Sequence, residues 1–377
     1  MTPMVRRWIW IVAAAAVLGA GCGSANGPAT ASAQPNACAP AGTNLALVTL
    51  RGSTQIVIQD ITDINHPRTL GTLGTSLASL GARPALEGIS GQFISASEVS
   101  NTDENNDSYD ASQVFRRCIS GSASPMVTKT DKRLILFAWS RDGRSLAYLS
   151  PTDAGSELHQ VRAGEDRTLA VLPLPGLGGG CEVAPCPGPF QNPGDTWHYR
   201  LAYSPDGNYI SMVQNGITSY LRIFTTDGKQ VAATDSAGTT MSVWSGNSLY
   251  FRDSVGVEVW RNGAVSTVLR GVSWIRPKAS SDGRFIVYEA RELGAANVFV
   301  LDTATGQVRA LGAGSEPAFL TSGYVWFETE PPCVPSGTCQ AGFPGIAAGK
   351  TYIYDMEAGT KSESVLTSVL DVWPHAA

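Results

Sequence analysis

One short phrase, written three times without a gap, constrains this chain more than any other feature. It reads Phe137-Ala-Trp-Ser-Arg-Asp-Gly-Arg144, Leu201-Ala-Tyr-Ser-Pro-Asp-Gly-Asn208 and Pro277-Lys-Ala-Ser-Ser-Asp-Gly-Arg284. Each copy runs into a short apolar stretch: Ser145 to Leu149, Tyr209 to Val213, Phe285 to Tyr288. Weaker copies stand at Ser242-Val-Trp-Ser-Gly246 and Ala318-Phe-Leu-Thr-Ser-Gly323, and a degraded one at Ala85 to Gly91. From Gly207 to Gly246, Gly283 and Gly323 the steps are about 39, 37 and 40 residues. Self-similarity at that period means an array of small units, none able to bury its apolar faces alone.

The Asp-Gly pair explains what each unit is. Two adjacent antiparallel strands need a tight reversal, and Gly supplies the positive φ that the reversal demands. Asp142, Asp206 and Asp282 are therefore expected to bond turn amides, not to act as catalytic carboxylates. The second half of the repeat agrees: Val298-Phe-Val-Leu-Asp-Thr-Ala-Thr-Gly306 matches Tyr352-Ile-Tyr-Asp-Met-Glu-Ala-Gly359, with shorter turns at Asp227-Gly228 and Asn262-Gly263. Alternation of apolar and polar residues up to a Gly reads as a third and fourth strand. Four strands at a step near 40 residues define propeller blades. The fold class expected is all-β, a single β-propeller over residues 43–377.

The Ser-x-Asp-Gly-Arg turns and their flanking strands resemble the TolB-type, WD40-like propeller family. The resemblance is strong over residues 134–312 and looser outside. It implies the fold; it does not choose a function, because propellers host many roles. Prolyl oligopeptidases carry similar propellers together with an α/β-hydrolase domain, but no Gly-x-Ser-x-Gly elbow occurs in this sequence.

Seven four-stranded blades are expected, with six as the alternative if residues 83–130 form no regular blade. The first repeat has only three strand-like runs: Leu45 to Leu50, Gln55 to Ile61 and Arg68 to Leu73. The C-terminus carries an orphan, Ser368-Val-Leu-Asp-Val-Trp373. That tail is expected to supply the missing inner strand and close the ring, which removes an open edge.

The N-terminus indicates a compartment. Arg6 and Arg7 precede an apolar run from Trp8 to Gly21, about 14 residues, too short to span a bilayer and suited to a signal sequence. It ends Leu18-Gly19-Ala20-Gly21-Cys22, which resembles the bacterial lipobox, although Gly19 stands where an aliphatic residue is usual. Residues 1–21 are read as signal peptide and 22–42 as a lipidated Cys22 with a small, polar, flexible tether; a plain secretory signal is the other reading. Export to the outer face of the cytoplasmic membrane or to the periplasm follows, with the membrane reached through the anchor. Six of the seven cysteines then remain. Cys181 with Cys186 and Cys333 with Cys339 are local pairs, and Cys38 with Cys118 is left by elimination; an oxidising compartment favours all three disulfides. Four thiolates on a metal are the competing reading. Loss of Arg6 and Arg7 from 27 basic residues takes the net charge from −5 to −7. An acidic chain with no basic stripe is a poor nucleic-acid binder, and a monomer is expected.

Long insertions at Val99–Ser112, Ser150–Glu157, Gly176–Asp195 and Thr329–Lys350 all assign, by this register, to the face opposite the Asp-Gly turns. That makes it a candidate binding face, with Tyr109, Phe190, Trp197, His198 and Phe343 as contact residues; insertion by drift is the alternative. Asp103, Asn105 and Asp107 are spaced like the first half of a calcium loop, but Ser108 and Val114 replace its Gly and bidentate Glu, so a solvated acidic loop competes with calcium, and no other cofactor is expected. Four histidines are present, and no Ser-His-Asp spacing, paired-carboxylate motif or phosphate loop stands out. The primary expectation is a non-catalytic propeller that binds a protein or envelope component through that face. A hydrolase or lyase acting at the central channel, and a small-ligand sensor, are the alternatives.

Overall fold

Each strong repeat closes on the same four-residue device. In the computed structural model, Ser140, Ser204 and Ser280 each donate from Oγ to the Asp two positions on, at 2.6 Å. The same Oγ accepts the amide of the residue that opens the next strand, Ser145, Tyr209 or Phe285, at 2.9 Å. The Asp in turn accepts the amide of Arg144, Asn208 or Arg284 at 3.0–3.1 Å. Gly143, Gly207 and Gly283 sit at φ 66°, 72° and 68°, the left-handed region where a Cβ is costly. The reversal is thus held by contacts within the turn itself.

The structure describes residues 44–373 except 50–55, 73–84, 88–92, 98–110, 119–125, 135, 153–154, 174–198, 215–217, 238–240, 293–294 and 330–348. They fall in one compact unit, Cys38–Ala377. No helix occurs among them. The chain opens with β1 (Leu45–Thr49), β2 (Ile56–Asp60) and β3 (Arg68–Thr72). A second sheet takes β4 (Ala85–Glu87), β5 (Phe93–Ser97), β6 (Ala111–Cys118) and β7 (Met126–Leu134). A third takes β8 (Leu136–Trp139), β9 (Ser145–Thr152), β10 (Gly155–Arg162) and β11 (Glu165–Pro173). The fourth takes β12 (Tyr199–Tyr203), β13 (Tyr209–Gln214), β14 (Thr218–Thr225) and β15 (Gln230–Ala237). The fifth takes β16 (Ser242–Ser245), β17 (Ser248–Arg252), β18 (Gly256–Arg261) and β19 (Ala264–Arg270). The sixth takes β20 (Trp274–Ala279), β21 (Phe285–Glu292), β22 (Ala295–Asp302) and β23 (Val308–Ala313). The seventh takes β24 (Ser315–Thr321), β25 (Tyr324–Glu328), β26 (Thr351–Asp355) and β27 (Thr360–Glu363). The last strand, β28 (Val369–Trp373), pairs antiparallel with β1, so the first sheet reads β28-β1-β2-β3. Among the described residues every pairing is antiparallel, and all but this one join strands that follow one another in sequence. Residues 83–130 do contribute a four-stranded sheet, β4 to β7.

The inner strands, such as β1, β17 and β24, are buried on both faces and alternate between two junctions, whereas the outermost β3, β19, β23 and β27 are largely exposed. Leu45 and Leu47 pack with Ile56, Ile58, Trp373 and, from the second sheet, Leu86. Ala46, Val48 and Val372 point the other way, into Ala318, Leu320, Trp326 and Ile353 of the seventh sheet. Tyr250 joins Trp274, Ile286 and Tyr288, while its neighbours Leu249 and Phe251 join Val213, Leu221 and Ile223. Period-two alternation therefore assigns each residue to a seam, not to an inside or an outside. Each side chain so buried contributes about 1.5–3 kcal/mol. The first strands of successive sheets touch: β8 with β12, β16 with β20, β20 with β24, β24 with β28, and β28 with β4.

One expectation needs correction. Residues 150–157 are not an inserted loop. β9 runs on to Thr152 and β10 starts at Gly155, paired Gly155↔Thr152, Ser156↔Pro151 and Glu157↔Ser150. Ser150 is buried, and Glu157 meets His159 at 3.1 Å, so both strands keep partners through this stretch.

Candidate binding face

In a four-stranded meander, connections one-to-two and three-to-four leave one end of the sheet. Connections two-to-three, and the crossing to the next sheet, leave the other. Segment 98–110 joins β5 to β6 and segment 330–348 joins β25 to β26, both two-to-three connections. Segments 73–84 and 174–198 cross between sheets, from β3 to β4 and from β11 to β12. All four depart from the end opposite the Ser-x-Asp-Gly turns.

At that same end the first strands change character halfway through the chain. β8, β12 and β16 pair with their second strands without a register shift. β20, β24 and β28 all carry one. In β20 the shift lies between Ile275 and Lys278, in β24 between Ser315 and Ala318. Each bulge holds an X-Pro pair, Arg276-Pro277 or Glu316-Pro317. Pro has no N–H to give the ladder, so the register skips and the strand kinks. The residue before it is thrown into the left-handed region: φ is 52° at Arg276 and 51° at Glu316. That is strained for any side chain, on the order of 1–3 kcal/mol each, and doubly unusual before proline.

The two kinks aim their side chains at each other. Arg276 Nη1 donates to Glu289 Oε2 at 2.9 Å within its own sheet, and Nη2 to Glu316 Oε1 at 2.9 Å in the next. Glu289 is fully buried, whereas Arg276 is 34% and Glu316 38% exposed. Breaking the buried pair strands a charge and costs about 3–5 kcal/mol. The half-exposed pair is worth about 0–1 kcal/mol. The Arg276 amide donates to Met241 Sδ at 3.2 Å, and Trp274 Nε1 to the Met241 carbonyl at 3.2 Å. In β28, Asp371 also reaches across a junction and accepts the Leu86 amide at 2.8 Å. The sequence carried the signal, since Arg-Pro and Glu-Pro stand at the same offset from their turns, but strand register is needed to see that they meet.

A second polar cluster lies between the second and third sheets. His159 Nδ1 is 3.2 Å from Asp166 Oδ1 and Nε2 is 3.1 Å from Glu157 Oε2, with side chains of His159 and Asp166 only 4% and 5% exposed. Tyr148 stacks on the imidazole at 4.7 Å and donates to Asp166 at 2.6 Å. Burial, then that hydrogen bond, pushes the Tyr148 phenol far up. Asp166 also accepts the Asp131 amide of β7 at 2.7 Å. Beside it, Gln160 donates to Tyr203 Oη at 3.0 Å, and burial pushes the Tyr203 phenol up to about 12. These groups tie neighbouring sheets together and are enclosed by them.

Of the residues singled out from sequence, Cys22, Cys38, Cys181, Cys186, Cys333, Cys339, Asp103, Asn105, Asp107, Tyr109, Phe190, Trp197, His198 and Phe343 lie outside the described residues. Cys118 is the last residue of β6. No group of three or more His, Cys, Asp or Glu positioned for a metal occurs among the described residues, and no helix there is long and apolar enough to cross a membrane.

No protein-family model matches the sequence, and no curated protein matches it. Solved structures do. The chain is similar to prolyl oligopeptidase B from Galerina marginata, with 12% identity, 86% of this chain and 48% of that chain covered, and a TM-score of 0.50. It is also similar to the β-propeller domain of the trilobed protease from Pyrococcus furiosus (14% identity, 75% and 83% covered, TM-score 0.46). A third is TolB from Acinetobacter baumannii (15% identity, 84% and 77% covered, TM-score 0.42). The chain spans about half the length of the prolyl oligopeptidase. At this identity the likeness concerns the fold alone. With the sheet order above, it places the chain among the β-propellers.

Proposed function

We propose that this protein is a seven-bladed, ring-closed propeller, exported and lipid-anchored through Cys22, that binds a protein or envelope component through the face carrying its insertions. The observation that carries the reading is the connectivity: segments 73–84, 98–110, 174–198 and 330–348 all leave from one end of their sheets. Interaction surfaces collect on loops held by a rigid scaffold. Closure is supported by the apolar clusters, one drawn from each consecutive pair of sheets, including the two junctions that flank the sheet shared by both chain ends. The pair Cys333 and Cys339 falls in segment 330–348, and a disulfide there would stiffen it; Cys181 with Cys186 would do the same in 174–198.

The test replaces residues 330–348 by a short Gly-containing turn between Thr329 and Gly349. Crosslinking on intact cells should then lose the partner bands given by the native protein, while the melting temperature stays within a few degrees. Unchanged bands would defeat the assignment of this face.

A further inference from the structure

We propose that Arg276 and Glu316 form an ionic latch across the junction between the sixth and seventh sheets, with Glu289 as the fixed anchor and Glu316 as the exchangeable half. This goes beyond the binding reading and does not depend on it. The asymmetry of exposure is the first support. Glu289 is fully enclosed, so the guanidinium cannot leave it cheaply. Glu316 and Arg276 are each about one-third open to solvent, so ions in solution can compete for that contact and no other in the trio.

Backbone geometry is the second support. Both latch residues are non-Gly, both have φ near 50°, and both precede proline. Left alone, a residue before proline prefers extended backbone. Two independent departures at equivalent positions of adjacent sheets are joined by a single 2.9 Å contact. When that contact breaks, Glu316 is free to move toward the extended region and its side chain swings away from the junction, while the Arg276 guanidinium stays on Glu289 and only the Arg276 backbone relaxes, loosening its amide from Met241 Sδ. The latch therefore couples strain in two sheets to one solvent-accessible ion pair.

Hydrogen exchange across residues 275–279 and 315–319 tests this in the full-length protein. Raising sodium chloride from about 0.01 M to about 1 M shortens the screening length from about 30 Å to about 3 Å. Exchange in these two segments should rise several-fold, while exchange in β13 and β17 stays the same. Glu316→Gln should exchange fast at low salt and lose the salt response. Salt-insensitive exchange in the native protein, or native behaviour in Glu316→Gln, overturns the latch. Arg276→Gly and Arg276→Ala both delete the ion pair, but only Gly tolerates the positive φ. The Gly variant should melt several degrees above the Ala variant; equal melting would remove the strain from the account. If neither variant folds, the Glu316→Gln exchange result decides alone.

Discussion

Ser204 does two jobs with one hydroxyl, donating to Asp206 and accepting from the Tyr209 amide. Ser204→Ala leaves an orphaned amide and an unbridged carboxylate, so a loss of about 1–2 kcal/mol is expected in denaturant unfolding. Burial works against the Asp142 and Asp206 carboxylates, but hydrogen bonds from the serine hydroxyls and turn amides outweigh it and hold both below their ordinary value of 3.8. A depressed folded pKa stabilises above the unfolded value and is lost as pH falls through the folded one. The stability contributed by these two carboxylates should therefore be fully present above the ordinary carboxylate value and be lost as pH falls below it, and Asp206→Ala should make the acid decline shallower. An acid limb identical in the variant would show that Asp206 is not a contributor. These turns were legible in the sequence because the Ser, Asp and amide contacts that close them lie within five residues. His159 was not: two of its contacts are near in sequence, but Asp166 acquires its role only once β11 folds back on β10, and the partner amide comes from Asp131 in another sheet.

Among the strands, β28 ties the two ends of the chain together. It pairs with β1 along Leu45↔Trp373 to Val48↔Val369, sends Val372 into one junction and Trp373 into the other, and is preceded by Thr367, whose hydroxyl donates to the Thr49 carbonyl at 2.6 Å. Loss of a buried Trp alone costs about 3–5 kcal/mol, a large fraction of the roughly 5–15 kcal/mol that stabilises a typical domain. Deletion from Thr367 onward should abolish cooperative thermal unfolding; an unchanged melting temperature would refute the part assigned to this strand. That an orphan strand stood at the C-terminus could be read by counting, since the first repeat was one strand short. The bulges in β20 and β24 could not, because proline announces a missing ladder bond but not where the side chain before it is sent.

At the scale of the molecule, the repeat period and the Asp-Gly turns implied a propeller, and the sheet order carries the same architecture. The seams were not legible: alternation within a strand says which residues share a face, but not which neighbour that face meets. On the reading proposed above, Cys22→Ser should move the protein from the membrane fraction to the soluble extracytoplasmic fraction without altering its melting; retention in membranes would refute lipid anchoring at that residue. The pairing of β1 has a mechanical side as well. β1 is bonded along both edges, to β28 and to β2. A pull on Leu45 directed along the strand would load both ladders at once, so they would have to slide together before either gave way. Bonds loaded side by side in shear share the force, where a peeled edge would break them one at a time. The doubly bonded β1 would thus resist tension along its own axis better than an edge strand.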